Sequence, residues 1–173
     1  MTRQHRTHGT GEFEPAQFRK IGDNVVFEPG VLVFHPENIE LGTNIYVGHN
    51  VILKGYYKGG MRIGDNSWIG QGCYFFSGGP VDIGRNVGIG PFVKILTGYH
   101  VDQGIETPIL FSPLTFEPVS IGEDSDIGIG SIILPGVSIG RGVQIGAGSL
   151  VTKDIPDYAI AYGSPAQVTR FRN

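Results

Sequence analysis

The dominant pattern along the chain is an aliphatic residue followed by glycine, recurring at steps of six: Ile21, Leu41, Val47, Ile63, Ile69, Ile83, Ile89, Ile121, Ile127, Ile139 and Ile145. Extending the step fills positions 21, 27, 33; 41, 47, 53; 63, 69, 75; 83, 89, 95; 121, 127, 133; and 139, 145, 151. All of them are aliphatic or Phe in a chain that is 40% hydrophobic, a coincidence on the order of 10⁻⁷ by chance. Surplus residues collect only after every third hexapeptide, at 39–40, 59–62, 81–82 and 101–120, with none before the last group. Eighteen residues therefore form one structural unit with three faces and a single corner that tolerates insertion. The predicted architecture is an all-β solenoid of about six triangular coils. Each coil buries one apolar side chain per face on the same position of the next, with rungs about 4.8 Å apart. No coil can bury its apolar residues alone, so stacking is what stabilises the fold.

The fifth position of each hexapeptide also points inward and is small: Val25, Val31, Ile45, Val51, Ser67, Cys73, Val87, Val93, Ser125, Ser131, Val137, Val143 and Ser149. Cys73 falls on this series and reads as a core filler, not a nucleophile. The faces differ on their outer sides, where strand neighbours of inward residues point. Faces one and two are lined by glycines, such as Gly42, Gly64, Gly84 and Gly48, Gly70, Gly90. Face three carries Leu32, Phe34, Ile52, Lys54, Tyr74, Phe76, Lys94, Leu96, Ile132, Leu134, Leu150 and Thr152. So apolar a surface predicts contact with another copy of the chain. Trp68, outward on face two, reads as packing at such a contact.

Composition narrows the function. Glycine is 28 of 173 residues, fitting many tight turns, and the formal charge of -3 argues against a nucleic-acid partner. No apolar run approaches the ~20 residues of a membrane span. The first 20 residues lack the apolar stretch of a signal peptide, and one cysteine fits a reducing compartment, so a cytoplasmic chain is expected. The expected division is an arm at 1–20, a β-helix at 21–156 containing the loop 101–120, and a tail at 157–173.

That loop, VDQGIETPILFSPLTFEPVS, follows Gly98-Tyr99-His100. A loop this long in a compact repeat is usually functional. His100 at its root is thus the candidate catalytic residue. His5 and His8 lie in the polar arm, and His35 and His49 sit at turns where bonds to backbone are the expectation.

The segments ILTGYHVD and VSIGEDSDIGIGSIILPGVSIGRGVQIGAGSLVTKDIPDYAIAYGSPAQVTR carry a resemblance. The chain resembles the hexapeptide-repeat acyltransferases of left-handed β-helix fold, in particular the sugar O-acetyltransferases, over roughly residues 21–173. The left hand of the helix is implied by that resemblance alone. The resemblance also implies a homotrimer with active sites between subunits, acetyl-CoA as acyl donor, a sugar or glycoconjugate acceptor and no metal. His100 would be the general base and the backbone N–H of Ile129 the oxyanion donor. Gly128 and Ala147 would line the pantetheine channel, with Thr152, Lys153 and Arg170 near the CoA phosphates. The chain departs from the family at Asp126, where many members have Trp, at Gln167, where a basic residue sometimes stands, and at Gly70, near the place of an acceptor-supporting Asn.

An amino-sugar N-acetyltransferase is the nearest alternative. A xenobiotic acetyltransferase lacks its Asn-His and Met-Asp-Gly surroundings here. A zinc carbonic anhydrase of the same fold needs three converging histidines. A non-catalytic scaffold would leave the histidine-rooted loop without a purpose.

Overall fold

The computed structural model describes residues 4–173; residues 1–3, the start of the expected arm, lie outside the described residues. Three parallel sheets wrap one core. The first is built from Lys20–Ile21, Ile39–Leu41, Met61–Ile63, Val81–Ile83, Val119–Ile121 and Ser138–Ile139. The second contains Val25–Phe27, Ile45–Val47, Trp68–Ile69, Gly88–Ile89, Asp126–Ile127 and Gln144–Ile145. The third contains Leu32–Phe34, Ile52–Gly55, Tyr74–Ser77, Lys94–Ile95, Ile132–Ile133 and Leu150–Val151. Register follows the hexapeptide columns: Ile63 pairs with Ile83, Ile83 with Ile121 and Ile121 with Ile139. Of the inward aliphatic and aromatic positions Ile21, Val25 and Phe27, all in the first coil, are only partly buried.

The first coil carries an aromatic plug that the repeat does not announce. Phe13, Phe18 and Phe27 meet with ring centroids 4.9 to 5.7 Å apart. The segment before the first coil therefore closes the open end of the prism. At the other end the stack exceeds the expected six coils. Ile155 bridges to Ile139, and Ala159–Gly163 adds to the second sheet beside Gln144–Ile145. The chain then reverses, and Ala166–Phe171 pairs antiparallel with Ala159–Gly163. A partial seventh coil is the result.

The surplus residues sit one step earlier than the hexapeptide register suggests. Ile39, Met61, Val81 and Val119 are buried and begin strands of the first sheet, in line with Val137. The extra length is taken up before them, by the short 3-10 turn Pro36–Asn38, by 56–60, by 78–80 and by the excursion 98–118. Val119 and Ser120, counted with the loop from sequence, pair with Val81 and Asp82.

The corner between the first and second sheets holds a ladder of side-chain amides. Asn24 donates to Asn44 (2.7 Å), Asn44 to Asn66 (3.0 Å), Asn66 to Asn86 (3.2 Å), and Asn86 to the carboxylate of Asp124 (2.9 Å). All five have φ between 53° and 63°. Asparagine and aspartate tolerate this left-handed region better than other non-glycine residues. One residue type thus satisfies both the turn and the rung above it. The neighbouring glycines answer a different demand: a Cβ on Gly64 would lie 2.6 Å from the backbone nitrogen of Arg85 in the next coil.

Candidate functional site

The excursion at 98–118 is a hairpin. Gly98–His100 pairs antiparallel with Leu114–Phe116, with Gly98 opposite Phe116, Tyr99 opposite Thr115 and His100 opposite Leu114. Alternation across the ladder puts His100, Leu114 and Phe116 on one side and Tyr99, Thr115 and Glu117 on the other. The Tyr99 hydroxyl donates to Glu117 at 2.9 Å, and that bond holds its phenol above the ordinary tyrosine range. The hairpin root is tied to the coil by Thr97. Its hydroxyl donates to the Phe76 carbonyl (2.5 Å) and accepts from the Gly79 N–H (3.0 Å).

His100 is half-buried, and its Nδ1 lies 2.8 Å from the carbonyl oxygen of Ser112. A carbonyl oxygen can only accept, so Nδ1 carries the proton and the neutral ring presents the Nε2 lone pair. Loop backbone thereby sets both ring orientation and tautomer. The Ser112 hydroxyl is buried beside this contact and has no hydrogen-bond partner among the described residues. Around the hairpin, Ile105, Ile109, Leu110, Phe111 and Leu114 are exposed. The loop is therefore more openly apolar than face three, whose outward residues are half-buried except for Lys94 and Thr152.

Ile129 lies at the corner where the second sheet passes into the third, with its side chain 48% exposed. No group among the described residues accepts a hydrogen bond from its backbone N–H. Its own carbonyl accepts from Gly148 in the next coil (2.8 Å). Gly128 lies directly below Ala147: a Cβ on it would come 2.5 Å from the Ala147 nitrogen. Glycine at 128 is thus required by coil stacking as such. Gly130, at φ +71°, has open space around it.

The predicted residues do not all converge. Gly128, Ile129 and Ala147 form one corner column. Thr152 and Lys153, both exposed, lie at the corner between the third and first sheets, two coils above His100. Arg170 sits opposite Ile160 on the edge strand of the second sheet. Within one chain His100 and Ile129 occupy opposite edges of face three. That is roughly six extended residues, or about 20 Å, too far for one reacting carbonyl to touch both.

Other candidates resolve simply. His35 Nδ1 lies 3.2 Å from Glu37, and His49 Nε2 3.5 Å from Glu28, so carboxylates, not backbone, partner both rings. Among the described residues no three or more His, Cys, Asp or Glu side chains converge as metal ligands would. Cys73 is buried, its thiol pushed up to about 11 by burial, as suits a packing residue. Trp68 stacks on Tyr46, with centroids 5.8 Å apart and planes 4° from parallel, and is 43% exposed. No helix among the described residues is long and apolar enough to cross a membrane.

Comparison with known proteins adds the family context. The signature described as bacterial transferase hexapeptide (six repeats) matches residues 118–153, and that of the hexapeptide repeat of succinyl-transferase matches residues 60–90. A putative acetyltransferase of Saccharomyces cerevisiae is 34% identical over 154 residues, covering 86% of this chain and 63% of its own. The chain spans 63%, 54% and 44% of the lengths of three curated relatives that it matches. Among solved structures, a maltose O-acetyltransferase from Clostridium difficile 630 superposes with a TM-score of 0.69 at 30% identity, covering 91% of this chain and 72% of that one. A mutant of AntD, an N-acyltransferase from Bacillus cereus in complex with dTDP and coenzyme A, gives a TM-score of 0.81 at 25% identity, covering 91% and 86%.

Proposed function

Because the chain belongs to the hexapeptide-repeat acetyltransferase family, we propose that it moves an acetyl group from acetyl-CoA to a sugar hydroxyl, with His100 as general base. The observation that carries this reading is the 2.8 Å contact from His100 Nδ1 to the Ser112 carbonyl, which leaves Nε2 as an oriented proton acceptor. His100 Nε2 takes the proton of the acceptor hydroxyl as the new C–O bond forms. As the C–S bond breaks, the same nitrogen returns that proton to the leaving thiolate. The N–H of Ile129, which has no acceptor among the described residues, stabilises the oxyanion in between.

The opposite-edge placement of His100 and Ile129 has a consequence. If both serve one reaction, they come from different copies of the chain. A homotrimer, in which the loop of each copy meets the second-to-third corner of its neighbour, satisfies this. It would also cover the apolar loop residues. In this arrangement Gly128 and Ala147 leave the corner smooth for the pantetheine arm, and Thr152, Lys153 and Arg170 supply hydroxyl and cationic contacts for the CoA phosphates. We place the reaction in the cytoplasm, the compartment that the single reduced cysteine fits.

An amino-sugar acceptor is the second reading, favoured by the likeness to AntD. The same base serves an amine that arrives as an ammonium ion. The deciding experiment presents matched hydroxyl and amino sugars with acetyl-CoA and measures thiol release. Acetylation of at least one sugar that depends on His100 supports the proposal. Tight CoA binding without turnover on any saccharide would overturn it.

A further inference from the structure

Beside the hairpin lies a cluster that the reading above leaves unused. Phe116 shares the His100 side of the hairpin and lays its ring over Gly98, where a Cβ would come within 2.6 Å of it. The ring meets Tyr56 at 5.8 Å and Phe76 at 6.2 Å, and Tyr56 meets Tyr57 at 4.4 Å. Tyr57 is 66% exposed. The Lys58 ammonium rides over two of these rings, 5.8 Å from the centroid of Tyr57 and 5.6 Å from that of Phe116. It has no carboxylate partner among the described residues, where ion pairs are made by arginine and histidine.

An exposed ammonium lying over two aromatic faces with no carboxylate partner among the described residues is available to an anion from outside the chain. The rings hold its position through their quadrupoles and leave its charge unneutralised. The exposed ring of Tyr57 beside it suits the C–H face of a pyranose. Phe116 stands two residues from the position opposite His100, about 7 Å along the strand.

We propose that Tyr57 and Lys58 form an acceptor subsite that selects an anionic saccharide. Lys58 pairs with a carboxylate or phosphate on the sugar while Tyr57 carries the ring. This rests on the sugar-acetyltransferase reading only for its catalytic consequence; the binding step stands apart from it. A uronic acid and a sugar phosphate offer the same anion to Lys58, so both belong in the test.

The probes are methyl β-glucuronide, glucose 1-phosphate and the neutral methyl β-glucoside, measured against the full-length chain with His100→Ala in place so that nothing turns over. Calorimetric titration is expected to show an anionic sugar binding about 10-fold more tightly than the neutral one, the scale of one charge-assisted contact. Lys58→Ala should remove that preference, Lys58→Arg should restore most of it, and Tyr57→Ala should weaken all sugars alike. Raising the salt should erode the preference. The stronger of the two anionic probes identifies the source of the anion. In the active chain, Lys58→Ala should raise KM for the anionic sugar about 10-fold with kcat within about twofold. Equal binding of charged and neutral sugars, or a preference that survives Lys58→Ala, overturns the subsite whatever the turnover. Lys58-dependent binding with no thiol release would sink the transferase reading and leave the subsite standing.

Discussion

The Nδ1–H of His100 and the carbonyl of Ser112, twelve residues apart, meet at 2.8 Å across the mouth of the hairpin. A base held by backbone keeps its aim as long as the hairpin stays closed. Replacing His100 with Ala should lower kcat by about 10²–10⁴-fold, or ~3–5 kcal/mol of barrier, without unfolding the coils. Thiol release at saturating acetyl-CoA measures the loss, and far-UV circular dichroism checks the fold. Undiminished turnover would remove His100 from the chemistry.

Leu134 points outward on face three and packs against the edge of the core. A charge there is unwelcome between subunits and tolerable in water. Leu134→Glu is therefore expected to reduce the sedimentation coefficient to that of a single chain while the circular dichroism spectrum persists. A variant that sediments like the parent would place the subunit contact elsewhere.

The amide ladder offers a test of stability. Asn66→Ala deletes two rung bonds and leaves an alanine at φ +57°. A cost of about 2–4 kcal/mol follows from the backbone strain and the lost bonds together. Asn66→Gly removes the bonds alone and should cost about 1–2 kcal/mol. Urea midpoints of the pair separate the two contributions, and equal midpoints would refute the conformational part.

Asp124 ends the ladder, accepting from Asn86 and pairing with Arg141 at 3.0 Å; these contacts hold its carboxyl below the ordinary value of 3.8. A carboxylate lowered in the folded state stabilises the chain above its unfolded value. That contribution fades as pH falls from 3.8 through the lowered folded value. Asp124→Asn keeps an acceptor for Asn86 and loses the charge. The variant should be less stable than the parent at neutral pH, with the gap closing in acid. A gap independent of pH would show that the charge contributes nothing.

Cys73 donates to the carbonyl of Gly90 at 3.2 Å, as Ser67, Ser125 and Ser131 donate to Gly84, Gly140 and Gly146. Serine already performs this task in other coils. Cys73→Ser should thus change stability by no more than about 1 kcal/mol. In the parent, disulfide-exchange reagents should label the thiol only as fast as the chain opens. Rapid labelling of the native state would contradict its burial.

The coil columns were legible because an inward aliphatic repeats wherever the backbone does. Ile39, Met61, Val81 and Val119 escaped that reading because they stand just after the gaps, where variable spacing erases the register. The asparagine ladder shares the spacing of the first-sheet column and was open to the same search, but polar corners give no burial signal to prompt one. Phe13 and Phe18 belong to no repeat, so nothing short of packing reveals them as a plug. At the site, the loop marked His100. Ser112 was invisible because an irregular hairpin, not a period, brings it to the imidazole. The demand of coil stacking on Gly128 was equally hidden, because only the folded stack puts the Ala147 nitrogen 2.5 Å from where a Cβ would stand.

A stack of identical laps has no internal reason to stop, since each naked rim is a template for one more. The two rims of this chain differ: aromatic rings pack at the first, and at the second Ala166–Phe171 turns back against Ala159–Gly163 in the second sheet. That reversal offers an incoming molecule the wrong polarity for parallel growth. At the edge of the second sheet the rung a further lap would need is thus already taken, by a strand of this same chain running the other way.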